Sequence, residues 1–129
     1  MLRDNHAFSS FSVADLKSAY EFYGQTLGLS ARETPEGLSL ELAGGGRVFI
    51  YPKPNHTPAS FTVLNFLVDD IAQAVVALGK LGVSFQHYDD PGIKTDDAGI
   101  HHSEGAGTGP NIAWFKDPAG NILSLVEEK

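Results

Sequence analysis

The apolar pattern of this chain changes period twice, in the same way each time. Residues Phe8-Ser9-Ser10-Phe11-Ser12-Val13 put Phe11 and Val13 on one side of an extended segment, as a half-buried strand does. The spacing then lengthens. Leu16, Ala19, Tyr20, Tyr23 and Leu27 recur every three or four positions, which predicts a helix with one apolar face. Residues 63–68 read again as a strand, and Ile71, Ala74, Val75, Leu78 and Leu81 again as one face of a helix. Asp15 is placed to cap the first helix, and Asp70 followed by Gln73 resembles a capping box on the second. Gly28 and Gly82 each follow a leucine at a helix end, where a left-handed residue stops the helix. Gly79, inside the second helix, should cost about 1 kcal/mol against alanine, with no visible compensation.

These signatures repeat. Val13-Ala14-Asp15-Leu16 and Val68-Asp69-Asp70-Ile71 stand 55 residues apart, whereas Leu27-Gly28-Leu29-Ser30 and Leu81-Gly82-Val83-Ser84 stand 54 apart. The pairs indicate an internal duplication, and the slip of one places a single inserted residue in the first helix. Leu38 to Leu42 and Arg47 to Tyr51 flank a glycine-rich turn, and Ile112 to Lys116 and Ile122 to Val126 flank Asp117-Pro118-Ala119-Gly120-Asn121. Each half therefore reads strand, helix, strand, strand, strand. The expected organisation is one domain over residues 1–129, with modules at 7–52 and 60–127 joined by a proline-rich linker. The largest asymmetry is the stretch 89–110, whose counterpart, 33–37, is far shorter. A long structureless loop is expected there, either a mobile lid or surface disorder.

Charge and composition narrow the function. The chain has 129 residues, no cysteine and a net charge of −7. Disulfides and thiolate chemistry are excluded, and nucleic acid is disfavoured because the nine basic residues are few and scattered. No apolar run approaches the roughly 20 residues of a membrane helix, and the start lacks a hydrophobic signal region. A cytoplasmic protein with a small-molecule or protein partner is expected.

The paired V-x-D-[LI] junctions, with Phe22-Tyr23 and Leu27-Gly28-Leu29 after the first, resemble the vicinal oxygen chelate superfamily of glyoxalases, bleomycin-resistance proteins and extradiol dioxygenases. So does the run Phe115-Lys116-Asp117-Pro118-Ala119-Gly120-Asn121. The resemblance implies an α+β fold of two tandem βαβββ modules, forming a curved mixed sheet around a cleft, and a homodimer. It leaves the activity open, because the superfamily hosts lyases, isomerases, dioxygenases, thiol transferases and drug-binding proteins.

The family's four metal-ligand slots fall on Phe8, Val63, Phe49 (or Ile50) and Ser124. None supplies the imidazole or carboxylate that a divalent cation requires, so no metal and no cofactor are expected. The histidines do not replace them. His6 precedes the first strand, and His56 lies in the linker, where a backbone partner is expected. His101-His102 are adjacent and point apart on extended chain. The glycine string from Gly105 to Gly109 is followed by Pro110 and a strand, which does not suit a dinucleotide loop.

Strand parity instead sorts a candidate ligand site. Phe8 and Ser10 from the first strand, Phe49 and Tyr51 from the fourth, Val63 and Asn65 from the fifth, and Ser124 from the last should face away from the helices. His87, two positions after Phe85, is a further candidate, and Trp114 is included although its parity is open. An alternative for Phe8, Phe49 and Val63 is that they fill the hollow a metal would occupy. The leading functional expectation is a metal-independent binder of a small, partly aromatic organic molecule. The acidic balance favours a neutral or cationic one. The alternatives are a superfamily enzyme (lyase, isomerase or dioxygenase) with non-standard ligands, and a ligand-free regulatory or interaction domain.

Overall fold

The computed structural model describes residues 1–103 and 109–127. Glu104 and most of the glycine string, Gly105 to Thr108, lie outside the described residues. The chain divides into two compact units, Met1–Pro58 and Ala59–Lys129.

The first unit begins with a short 3-10 turn, Leu2–Asp4, and continues with β1 (Ser9–Val13) and α1 (Leu16–Tyr20). A π-helical turn, Glu21–Thr26, extends α1 before β2 (Ser30–Thr34), β3 (Gly37–Glu41) and β4 (Arg47–Pro52). The second unit holds β5 (Thr62–Val68), α2 (Ile71–Lys80), β6 (Asp89–Asp90), β7 (Ile93–Lys94), β8 (Ile100–His101), β9 (Asn111–Lys116) and β10 (Ile122–Glu127). Their main sheets have the orders β1-β4-β3-β2 and β5-β10-β9-β8. In both, the first strand runs parallel to the last and the other pairs are antiparallel. The fold is α+β, two βαβββ modules of one topology.

Each helix packs on the two central strands of its own sheet. The buried side chains are those that alternation assigns to that face: Phe11, Val13, Leu38, Leu40, Val48 and Ile50 in the first unit, Ala113, Phe115, Leu123 and Leu125 in the second. Ala19 and Tyr23 close the first core, with the Tyr23 ring 6.0 Å from Phe11, and Ile71 and Val75 close the second. Leu81 departs from its expected place on the buried stripe. The helix ends at Lys80, and Leu81, at the cap, is 58% exposed. Asp15 accepts a hydrogen bond from the Lys17 N–H, and Asp70 from the Gln73 N–H, at the equivalent N-cap of each repeat.

The one-residue slip has a physical form. Gly28 and Gly82 both have positive φ, 74° and 94°. Across the second cap the Val83 N–H donates to Leu78, five residues back; across the first the Leu29 N–H donates to Tyr23, six back. The extra residue is taken up as the π turn, where the Leu27 N–H reaches the Phe22 carbonyl instead of the usual i−4 partner. Tyr23 stays in the core and the exit glycine stays at the exit.

The described part of the stretch 89–110, residues 89–103 and 109–110, is not a structureless loop. It contains the β6–β7 hairpin and β8, and β8 occupies the sheet position that β2 holds in the first unit. The expected strand through Phe85 and His87 is reduced to one bridge, Phe85 with Phe115, plus a hydrogen bond from the Gln86 N–H to the Trp114 carbonyl. Pairing resumes with Ile100 opposite Ala113 and His101 opposite Ile112. The edge strand is thus split, and residues 87–99 leave the sheet between its two halves.

Candidate functional site

Register across each sheet lines up side chains on the face turned away from the helix. In the second unit Asn65, Ser124 and Trp114 stand opposite one another on β5, β10 and β9. This settles the open parity of Trp114: it shares the face of Asn65. Ser124 is fully buried and its hydroxyl donates a short, 2.5 Å bond to Asn65 Oδ1. The next rung is Leu67, Val126, Ile112 and His101.

The split edge strand completes this face. Its excursion leaves beside Trp114, and Tyr88 packs edge-on against the indole at 5.6 Å, with His101 tilted against it at 6.2 Å. The excursion is tied down by polar contacts. The Tyr88 N–H donates to Thr95 Oγ1 and the Thr95 N–H returns to the Tyr88 carbonyl. His101 Nδ1 donates to the Lys94 carbonyl. Asp96 accepts from the N–H groups of Ala98 and Ile100 and from His102 Nε2, the last at 2.7 Å. Burial acts to raise the Asp96 pKa, but the His102 bond and the two amide donors outweigh it and hold the carboxyl below its ordinary range.

The first unit carries a matching face. Arg32, Ser39, Phe49 and Ser10 form one rung across β2, β3, β4 and β1. Phe49 and Tyr51 stack with ring centres 6.3 Å apart, and the Arg47 guanidinium lies 5.0 Å from the centre of the Phe8 ring. Gly37 makes room: a Cβ there would meet the Ile50 carbonyl oxygen at 2.2 Å and the tip of the Phe49 ring at 3.1 Å. Ser12, opposite Tyr51, is hydrogen-bonded to His56 Nδ1 at 2.7 Å.

Of the candidate residues, Ser10, Phe49 and Tyr51 share the face in the first unit, with Phe8 against Arg47 beside them. Asn65, Trp114 and Ser124 share it in the second. Two candidates need correction. Val63 sits at a β-bulge, because the register passes from Thr62–Ile122 to Leu64–Leu123, so alternation no longer fixes its direction. His87 lies outside the sheet, exposed, donating to the Asp97 carbonyl. Arg32, Ser39, Tyr88 and His101 were not anticipated as site residues. Extending period two along β2 and β3 would have flagged Arg32 and Ser39; no local signal marks the contacts of Tyr88 and His101 with Trp114.

Residues 5–125 match the family model of the glyoxalase/bleomycin resistance protein/dioxygenase superfamily. The chain belongs to that superfamily. No curated protein matches it. Among solved structures, it resembles a glyoxalase family protein from Enterococcus faecalis, at 20% identity and a TM-score of 0.69 over 98% of this chain and 100% of that one. TnmS3, an antibiotic binding protein from Streptomyces sp. CB03234, is similar at 20% identity and a TM-score of 0.63 over 98% of both chains. A superfamily member from Sphaerobacter thermophilus DSM 20745 gives 23% identity and 0.62 over 95% of this chain and 98% of that one. At these identities the likeness shows the fold.

The superfamily's metal slots do not fit a metal in this member. Phe8 is engaged with a guanidinium, Phe49 is stacked on Tyr51, Val63 is in the bulge, and Ser124 donates its proton to Asn65. A hydroxyl already committed as donor and three hydrocarbon side chains offer no charged donor to a divalent cation. Among the described residues, no group of three or more His, Asp or Glu side chains could hold one. No helix among them is long and apolar enough to cross a membrane.

Proposed function

We propose that this superfamily member binds a small, partly aromatic organic molecule on the helix-free face of its second sheet, without a metal. The observation that carries the reading is the Trp114 rung. A large indole is flanked by Tyr88 and His101 and stands in line with the Ser124–Asn65 hydrogen-bonded pair. Aromatic walls with a few placed polar groups are how small-molecule sites are built. A structural neighbour that is an antibiotic binding protein supports the same class of role.

A panel of aromatic metabolites and antibiotics tests it by thermal shift, with emission from Trp114, the only tryptophan, as second readout. A true ligand at 100 times its Kd adds about 2.7 kcal/mol of stability. Asn65→Leu should weaken its binding and leave the melt cooperative, because Asn65 stands on the face opposite the core. A ligand whose affinity ignores both Trp114→Phe and Asn65→Leu would reject this site.

We also propose a homodimer. β5 is an edge strand of its sheet, Leu67 on it is 67% exposed and Phe61 beside it equally so. Sheet edges of this kind are normally paired or covered. Light scattering at micromolar concentration should give twice the monomer mass, and a monomer mass would reject it.

A further inference from the structure

The two helices hold the same place in the two modules and turn very different outer sides to solvent. The exposed residues along α1 and its π turn are Lys17, Glu21 and Gln25, four apart and all polar. By the 55-residue offset of the repeat, Lys17 and Glu21 correspond to Ala72 and Val76 on α2. There Ala72, Gln73, Val76, Ala77, Lys80 and Leu81 are all exposed, and they line an open groove of about 620 Å³. Ile71 and Val75 fill the core on the inner side of the same helix, while Val76 is 56% exposed on the outer one. A helix that is apolar on both sides is normally covered on both.

The order of residues along the outer side says what covers it. Asp69 stands just before α2 and Lys80 in its last turn; both are exposed, and among the described residues neither is in an ion pair. The line thus runs acid, small and apolar, base. We infer that it docks, antiparallel, on the same line of a second copy of this chain. A two-fold axis across the groove sets Lys80 against the partner's Asp69, Gln73 against the partner's Val76 and Ala72 against the partner's Ala77, and one register satisfies all three. Alanine on alanine lets two helix axes approach closely. A parallel pair would instead oppose like charges at both ends. The ten residues of α2 span about 15 Å, too little to cover the roughly 1,200 Å² of a stable interface, so the contact is weak and forms at high concentration. It lies on the side of α2 away from its own sheet and leaves the β5 edge free. The inference goes beyond the homodimer proposed at that edge and does not rest on it.

Analytical sedimentation of the full chain from micromolar to millimolar concentration tests it. The mean mass should rise with concentration above that of the micromolar species. Val76→Glu should remove the rise and leave the melt cooperative, because that side chain carries no part of the core. Asp69→Lys and Lys80→Glu should each weaken the association by at least about tenfold, since each sets like charges against one another. An equimolar mixture of these two variants should recover it, because every pair between the two chains is then of opposite sign. A rise that survives Val76→Glu, or a mixture that associates no better than its components, overturns the inference. No rise at any concentration also overturns it, and leaves a dimer seen at micromolar concentration to the β5 edge. A small molecule from the aromatic panel whose binding is lost in Val76→Glu would assign the groove to that ligand and overturn it as well. A chain that is monomeric at micromolar concentration, yet shows the rise and the charge pattern, supports it while rejecting the β5 homodimer.

Discussion

The two modules share one scaffold and differ at one rung. In the first it reads Arg32, Ser39, Phe49, Ser10; in the second the edge position is broken, and Trp114, Ser124 and Asn65 follow. The aromatic side chain has moved from the strand beside the parallel edge pair to the strand beside the split edge. Where the first sheet ends on a continuous strand bearing a cation, the second sends out residues 87–99 and brings Tyr88 back onto the indole. Helix-side residues are of one kind in both units, because that face must fill a core. The other face is free of that demand, so duplication has produced two different surfaces on one backbone plan.

The helices give the largest expected contrast. The first carries one residue more than the second, absorbed by the π turn, so deleting exposed Gln25 should convert it to the plain helix of its twin. A cooperative melt within about 1–2 kcal/mol of the wild type is expected from denaturant unfolding. Deleting Ala77 from α2 should instead rotate Leu78 and the exit by about 100° against Ile71 and Val75, and abolish the cooperative transition. If both deletions unfold the chain alike, the π turn is not a removable insertion.

Adjacent residues on opposite faces come next. Phe115, fully buried beneath α2 and 5.5 Å from Phe85, should cost about 3–5 kcal/mol when replaced by alanine. Trp114→Ala should cost much less and remove ligand-linked stabilisation. Equal losses would show that the indole belongs to the core.

The excursion distinguishes the second module, and Asp96 holds it. Asp96→Ala should loosen it by about 1–2 kcal/mol, read as a change in Trp114 emission with little change in far-ultraviolet dichroism. Because the folded pKa of Asp96 is lowered, its contribution is complete above the ordinary carboxylate value of 3.8 and is lost as pH falls through the lower folded value. The emission change should therefore appear in acid in the wild type and be absent in Asp96→Ala. The smallest effect lies on α2: a Cβ at Gly79 would meet nothing within 4 Å, so Gly79→Ala should add about 0.5–1 kcal/mol by chemical denaturation.

The candidate site was partly legible. Ser10, Phe49, Tyr51 and Ser124 could be assigned to a face because each lies on an unbroken stretch of strand, and Asn65 because it lies beyond the bulge of β5, where alternation resumes. Val63 and His87 escaped the rule for two different reasons. A bulge inserts a residue between paired neighbours, and an abandoned strand has no alternation to extrapolate.

What the sequence determined by itself follows from local chemistry: the duplication, the two capped helices, the glycine exits and the buried faces of β1, β4 and β10. These depend on side-chain period, capping groups and φ preferences, which act within a few residues. Its one-residue slip even announced the inserted residue in the first helix, though not that it would be housed as a π turn. Tertiary structure decided which side chains meet across strands: Arg32 beside Ser39, Trp114 beside Ser124, and Tyr88 returned to the indole by a strand that breaks and resumes. Register is set by the sum of contacts across a whole sheet, and an edge strand that can be left and rejoined carries no mark of it in its own residues.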